Sequence, residues 1–570
     1  MTWKQKYKEW FDSPNVSVDV KESLNGMDQS TRYDSFYKYL EFGTGGMRGK
    51  MGPGTNRMNA LIVRRLTFSF AQYLKENPEP NKQGVVVQYD TRHHSREFAE
   101  EVAATLASQG IHVYLSDCPR PTPLLSFLVR EFNAIGGIMI TASHNPPEYN
   151  GYKIYNSNGC QILTDTVEKI EQIQQKIPSE LVLENTSFAK KVEKGFIQVY
   201  KHEVEETYVE ALFKEKLLHT RSFMDLDKIT AVYSPLHGTG TSLMVKGLEE
   251  LSFVQMELVK EQLSEDGWFP TVALPNPEEK EAFSMSIQAA KKKQADVVFT
   301  TDPDADRLGV AIRKYDGDYQ LLTGNQLGAL LIHFLLTITP PKENRVVVKT
   351  IVTSDFGAKI AKRYGCTVKE TLTGFKYTGE AIQKMEPDEK EQFLFGYEES
   401  YGYLFSTMVR DKDAIQAAVL TSLAVSYYKK KQKTLVDVLE ELWEEYGYYQ
   451  ESLEIIHFNG EEEREALQDQ IEQLRKNPPS SVGEKKIIRV EDYEEGKGLD
   501  LRTMQTEELF LPQSDVLKFI LEYESWFAIR LSGTEEKGKI YIGVKEKNKE
   551  KAQESIEMIK EEIFTKYLSL

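Results

Sequence analysis

One repeated piece of grammar constrains this chain more than anything else: a short β-branched or apolar run ends in a loop of small and polar residues, and a stretch with helical spacing follows. The run at 85–89 leads into Asp90-Thr91-Arg92, and the run at 137–140 leads into Thr141-Ala142-Ser143-His144-Asn145-Pro146. Further on, 229–233 enters Ser234-Pro235-Leu236-His237-Gly238-Thr239-Gly240, and 297–299 enters Thr300-Thr301-Asp302-Pro303-Asp304-Ala305-Asp306-Arg307. The same punctuation recurs where 345–348 precedes Lys349 and where 393–395 precedes Gly396-Tyr397-Glu398-Glu399-Ser400. This predicts related α/β domains in series. At 570 residues the chain exceeds what one core serves, and the length alone suggests roughly three to four domains. After about residue 447 the texture changes: Ile540, Ile542 and Val544 alternate like a half-buried strand, while Ala552, Ile556, Ile559 and Ile563 keep helical spacing. A smaller α+β domain is expected there. The Glu- and Lys-rich stretches at 461–476 and 546–562 read as solvated helix faces.

Composition is that of a soluble globular protein, with 40% hydrophobic and 28% charged residues. The net charge of −17 repels nucleic acid and anionic membranes, so neither is expected as a partner, and no obligate protein partner is evident. Cys118, Cys160 and Cys366 are too few and too scattered for a disulfide framework or a cysteine zinc site. The start lacks the apolar core of a signal peptide, and the apolar run at 327–338 is short and carries His333, so a cytoplasmic location is expected. An anionic substrate would need cationic residues gathered in a cleft, and the loops above do carry Arg and Lys.

Asp302, Asp304 and Asp306 alternate directly after an apolar strand, so their carboxylates can converge on a hard cation. An EF-hand reading fails, because the sixth and twelfth loop positions are Arg307 and Arg313. The bland alternative is an acidic turn. The loop at 141–146 sets a hydroxyl beside an imidazole and an amide at a strand end, where α/β proteins hold ligands. By itself, a serine next to a histidine is more often a solvated turn. Two glycine-rich loops pair backbone nests with guanidinium, around Arg48 (42–49) and around Arg530 (530–537), and suit phosphate. Glu398 and Ser400 could hydrogen-bond vicinal sugar hydroxyls, and Lys376 could bring an ammonium to an anion.

Taken in order, these loops resemble the α-D-phosphohexomutase superfamily over nearly the whole chain. The markers are Thr-Ala-Ser-His-Asn-Pro at 141–146, Asp-Pro-Asp-Ala-Asp-Arg at 302–307, Glu-Glu-Ser at 398–400 and Arg-Leu-Ser-Gly-Thr at 530–534. The resemblance implies an α/β fold of four domains around a central cleft: 1–210 with the phosphoserine loop, 211–322 with the metal loop, 323–446 with the sugar loop, and an α+β domain at 447–570 with the phosphate loop. It implies that Ser143 carries a transferable phosphoryl group and, with Asp302, Asp304 and Asp306, binds Mg²⁺. Glu398 and Ser400 would read the sugar, and Arg530, Ser532, Gly533 and Thr534 would hold its non-reacting phosphate. Arg48, Lys153, Arg307 and Lys376 would line the cleft, with either His144 or Lys376 as proton shuttle.

The implied activity is an isomerase that interconverts glucose 1-phosphate and glucose 6-phosphate through phosphoserine, with glucose 1,6-bisphosphate as intermediate and activator. The loop at 396–402 resembles that of phosphoglucomutases more than those of phosphoglucosamine mutases. Tyr397 and the 42–49 opening point to the branch that also holds phosphopentomutases and glucose-1,6-bisphosphate synthases, so pentose and mannose phosphates stay open as substrates. Two other readings compete. A haloacid-dehalogenase-type phosphatase would use Asp302 as nucleophile and Asp304 as acid, but leaves Asp306 and the Ser143 loop unexplained. A non-catalytic sugar-phosphate-binding regulator would need only the binding groups.

Overall fold

The structure is a computed structural model and describes residues 2–43, 46–79, 82–184, 187–219, 225–386, 390–458, 460–531 and 537–568. It divides into two units, Met1–Gly324 with Gly374–Thr434, and Asn325–Thr373 with Leu435–Leu570.

In the first unit, seven strands form one sheet: β1 (Phe42–Gly43), β2 (Gly46–Lys50), β3 (Val85–Tyr89), β4 (Val113–Ser116), β5 (Gly136–Ile140), β6 (Tyr149–Asn156) and β7 (Ile197–Tyr200). Their order is β1-β2-β6-β5-β3-β4-β7, with β5, β3, β4 and β7 parallel and β6, β2 and β1 antiparallel. Strand alternation explains the two helical layers. Val85, Val87, Ile138 and Ile140 share a core with the helices Ala60–Glu76 and Ser95–Ser108. On the other face Gly137 lies against Val129 and Leu125 of the helix Thr122–Glu131.

A second sheet holds β8 (Ile229–Ser234), β9 (Val254–Leu258), β10 (Val297–Thr301), β11 (Leu308–Arg313) and β12 (Tyr319–Leu322) in the order β12-β11-β10-β8-β9. Strands β9, β8 and β10 are parallel; β10, β11 and β12 are antiparallel. The segment 374–434 adds the helix Phe375–Met385, the antiparallel pair Gln392–Tyr397 and Tyr403–Leu404, and the buried helix Ala414–Lys430.

Two expectations change here. After both the Ser143 loop and the aspartate loop the chain returns as an antiparallel strand, β6 or β11, and not as a helix. The buried pattern of both return strands is nearly continuous, so helical spacing had no purchase on them. The sequence also gave no sign of the three short N-terminal helices, Trp3–Asp12, Val18–Gly26 and Gln29–Phe36. These helices, with Val16 between the first two, pack Trp10, Leu24 and Phe36 against Leu181.

In the second unit the strands Arg345–Thr350 and Thr367–Thr371 run parallel, and Lys349 lies inside the first of them and not in a loop after it. The C-terminal part is the expected α+β domain. Its antiparallel sheet runs Tyr448–His457, Lys537–Glu546, Trp526–Leu531, Val516–Leu521, Lys485–Asp492, Lys497–Asp500 and Gln505–Glu508, with the helices Gly460–Lys476 and Lys549–Glu562. Ile540, Ile542 and Val544 are fully buried, and Tyr541 between them is buried too, so this strand is covered on both faces. Among the described residues no helix is long and apolar enough to cross a membrane.

Candidate active site

The site is built where β5 and β10 end. Ser143 follows β5 in the left-handed region (φ 50°), its N–H bound to Thr141 Oγ1 at 2.8 Å. An L-residue held there costs of order 1–3 kcal/mol, which the surrounding contacts must offset. Its hydroxyl donates to Asp302 Oδ2 at 2.7 Å and lies 3.3 Å from His144 Nδ1. Arg48, on β2, donates to Asn145 Oδ1 at 3.1 Å.

The aspartate loop is pinned through its backbone. Ala305 takes a left-handed conformation (φ 51°), Thr122 N–H donates to Asp304 O, and Thr239 donates to Pro303 O through both its N–H and its hydroxyl. All three carboxylates are buried, and one oxygen from each lies within 4.8 Å of the others. Asp302 Oδ1 accepts from Arg307 N–H at 3.0 Å. Asp304 Oδ2 accepts from Thr122 Oγ1 and Lys153 Nζ, each at 2.7 Å. Asp306 Oδ2 accepts from Lys153 Nζ at 3.0 Å and from Lys412 Nζ at 2.9 Å. Asp304 Oδ1 and Asp306 Oδ1 are buried without a hydrogen-bond partner. Two orphaned oxygens in an all-oxygen donor set fit a hard divalent cation.

Burial, then the charges of Asp306 and Asp304, raises the Asp302 carboxyl well above its ordinary range. Burial and Asp306 push Asp304 the same way, but Lys153 and Thr122 outweigh them and leave it low. For Asp306, Lys153, Lys412 and Arg307 together overcome burial and hold it far below the usual carboxylate range. Lys153 and Lys412 are in turn raised although burial opposes it, Lys153 mainly by Asp304 and Asp306 and Lys412 by Asp306, Asp411 and Glu398.

Arg307 pairs with Glu278. The aspartate loop and the Glu398 loop are joined by their backbones: Arg307 bridges Gly402, and Leu308 N–H donates to Tyr401 O at 3.0 Å. Glu398 is buried, accepts from Gly374 N–H at 3.1 Å, and has its carboxyl pushed up to about 7 by desolvation, with Lys412 opposing. Lys376 lies in the first turn of the helix that Gly374 precedes, and Ser400 in the turn after Glu398.

The first unit therefore gathers Ser143, His144, the three aspartates, Lys153, Arg307 and Glu398, with Arg48 of β2 hydrogen-bonded to Asn145 of the Ser143 loop. Arg530 lies in the second unit, paired in register with Val516 and Lys539. Ser532, Gly533 and Thr534, and Thr44 and Gly45 of the 42–49 loop, fall outside the described residues. Sequence reasoning missed Lys412, Thr122 and Glu278, and it named Thr141 only as part of the Ser143 loop, with no role. Lys412 sits in Arg410-Asp411-Lys412-Asp413, a run that reads as surface charge, and only its burial marks it.

Models of the phosphoglucomutase/phosphomannomutase α/β/α domains I, II and III match residues 39–180, 206–317 and 323–446. A phosphoglucomutase of Staphylococcus haemolyticus is 38% identical over 523 residues, 91% of this chain and 93% of that protein. Among solved structures, a phosphoglucomutase/phosphomannomutase family protein of Burkholderia thailandensis aligns with a TM-score of 0.66 at 16% identity, covering 92% of this chain and 97% of that one. The open form of pp63/parafusin, a phosphoglucomutase of Paramecium, aligns at 0.65 and 18%, covering 93% and 95%. With three consecutive domain models matched and a relative aligned almost end to end, the chain belongs to the phosphoglucomutase/phosphomannomutase family of the α-D-phosphohexomutase superfamily.

Proposed function

We propose that this protein is a cytoplasmic phosphoglucomutase that interconverts glucose 1-phosphate and glucose 6-phosphate through a phosphorylated Ser143, with glucose 1,6-bisphosphate as intermediate and activator. The observation that carries the reading is the Ser143 hydroxyl set 2.7 Å from Asp302 in a buried aspartate cluster, in a chain 38% identical to a phosphoglucomutase.

Phosphoryl transfer asks for positioning and charge stabilisation more than for covalent help. The bond from phosphorus to Ser143 Oγ breaks as one to the sugar hydroxyl forms. The proton of that hydroxyl passes to His144 or Lys376 and, in net, on to Ser143 Oγ, so the released serine is again the hydroxyl that donates to Asp302. The second half-reaction reverses these transfers at the other end of the sugar. His144 Nδ1 lies 3.3 Å from the Ser143 hydroxyl, and Lys376 lies in the first turn of the helix after Gly374, whose N–H binds Glu398, so both remain candidates for the shuttle. Asp302, Asp304 and Asp306 would hold Mg²⁺, whose charge offsets that on the transferring oxygens. Lys153 and Lys412 already neutralise two of the three carboxylates, so a bound divalent cation leaves the loop net positive toward a phosphoryl group. Glu398 and Ser400 would read the sugar hydroxyls, Arg48 and Arg307 would serve as positive partners, and Arg530, Ser532, Gly533 and Thr534 are the residues to which the family resemblance assigns the non-reacting phosphate. The domain limits we propose are 1–210, 211–322, 323–446 and 447–570; the family models at 39–180, 206–317 and 323–446 support three such domains in this order.

A ³¹P NMR time course with glucose 1-phosphate, Mg²⁺ and a trace of glucose 1,6-bisphosphate tests this. Glucose 6-phosphate is the expected product. Persistence of glucose 1-phosphate alongside turnover of ribose or mannose 1-phosphate would move the substrate, and release of inorganic phosphate would replace the mutase by a phosphatase.

A further inference from the structure

Arg92 lies just beyond the end of β3, buried at 3% exposure. Its Nη2 donates to Ser143 O at 2.6 Å and Asn145 O at 2.5 Å, and its Nη1 to Pro146 O at 2.8 Å and Tyr149 O at 3.0 Å. A guanidinium carries its terminal N–H groups in one plane, and here both terminal nitrogens are spent on one loop. Arg92 Nε faces Asp90 Oδ2 at 3.3 Å. Asp90 is held by Ser95 Oγ at 2.7 Å and by Arg92 N–H at 3.0 Å, and it is hydrogen-bonded to the Thr141 side chain. Thr141 Oγ1 in turn takes the Ser143 N–H. The Phe269 ring closes over the guanidinium, 5.0 Å from its central carbon.

The same pair thus fixes both sides of the Ser143 peptide, Arg92 its carbonyl and Asp90, through Thr141, its N–H. Four carbonyls turned toward one point repel one another without a planar cation between them. A lysine has three donors arranged tetrahedrally and cannot serve all four.

We propose that Arg92 is a positioning residue for phosphoryl transfer: its guanidinium sets the backbone of residues 143–149 so that the left-handed Ser143 presents Oγ to Asp302. This rests on the phosphoserine reading above. Among the described residues Arg92 makes no hydrogen bond or ion pair to Asp302, Asp304 or Asp306, so removing it disturbs the aim of the nucleophile and leaves the metal ligands their own partners. Misaim of about an ångström is enough to slow a positioned reaction a hundredfold.

The test is rapid-quench transfer of ³²P from glucose 1,6-bisphosphate to the full-length protein with Mg²⁺, for wild type, Arg92→Lys and Ser143→Ala. Steady-state kcat and KM for glucose 1-phosphate and a thermal melt accompany it. Arg64→Lys, a buried arginine paired with Glu101 away from the loop, is the comparator for packing alone. Arg92→Lys is expected to label at least tenfold more slowly and lose kcat by the same factor, with KM within twofold and melting as in Arg64→Lys. Labelling of Arg92→Lys at the wild-type rate, or a loss confined to KM, overturns the proposal while wild-type labelling of Ser143 upholds the phosphoserine reading. No label on wild-type Ser143 overturns both. Should Arg92→Lys not fold, Asp90→Asn keeps the shape and removes the charge facing Nε; labelling slowed at least threefold supports the proposal, and an unchanged rate overturns it.

Discussion

Ser143 Oγ and Asp302 Oδ2 stand 2.7 Å apart, the nucleophile from the end of β5 and the carboxylate from the end of β10. Burial and its two aspartate neighbours raise that carboxyl, a like-charge strain that a divalent cation on the cluster would relieve. Ser143→Ala is expected to drop turnover to background in the ³¹P assay while calorimetric binding of glucose 1-phosphate stays within about twofold, since the lost hydroxyl acts on phosphorus and not on the sugar. Turnover at the wild-type rate in this variant would falsify the mechanism.

Asp306 shares its Oδ2 between Lys153 and Lys412 and leaves Oδ1 buried without a partner. Chelation is therefore expected to stop turnover, and Mg²⁺ to restore it. Asp306→Asn keeps the shape but offers a neutral ligand, so half-saturation should need at least about tenfold more Mg²⁺. Equal Mg²⁺ titrations for the two proteins would remove Asp306 from the metal site.

Glu398 titrates near 7 because burial disfavours its charged form. An ionised carboxylate accepts from sugar hydroxyls, and a protonated one gives up part of that capacity. The raised value means the acceptor is present above 7 and is lost as pH falls through 7 toward the ordinary carboxylate range. The expected result is a kcat/KM for glucose 1-phosphate that declines below pH 7 in wild type. In Glu398→Gln this limb should be missing, on a lower plateau. The substrate's own phosphate titrates alike in both proteins, so the difference between the two profiles isolates Glu398. Parallel profiles would assign the limb elsewhere.

Much of this site was legible because its chemistry-bearing residues are contiguous. Ser143 with His144, and the three alternating aspartates, each occupy one loop at the end of an apolar strand, and strand-end loops are where parallel sheets gather ligands. What stayed hidden is non-local. Lys412 reaches Asp306 across more than a hundred residues of chain, and Thr122 reaches Asp304 across 182. Neither local composition nor period records such a meeting. Arg92 was visible as a strand-end residue, but nothing in Asp-Thr-Arg says that both its terminal nitrogens turn to one loop. The return strands β6 and β11 were hidden for a different reason. Both are buried almost continuously, β11 as an apolar run and β6 with Asn150 and Lys153 buried among its apolar residues, so neither shows a two-residue alternation to read.

Gly238 offers the sharpest test of how the aspartate loop is held. A Cβ on it would lie 2.4 Å from Pro303 Cα, 2.6 Å from Pro303 O and 2.8 Å from Pro303 C. All three are backbone atoms, so no side chain can swing aside, and Pro303 itself is fixed by Thr239 at its carbonyl. Pro303 stands between Asp302 and Asp304, so the shift demanded by Gly238→Ala passes straight to two carboxylates. Overpacking of this kind costs about 1–3 kcal/mol. That loss should appear as a lower melting temperature together with a raised Mg²⁺ requirement and a reduced kcat. The combination matters: a lower melting temperature with an unchanged Mg²⁺ titration would mean that the loop yields as a rigid whole, and that the close approach of Gly238 to Pro303 stabilises the second sheet without setting the geometry of the aspartates.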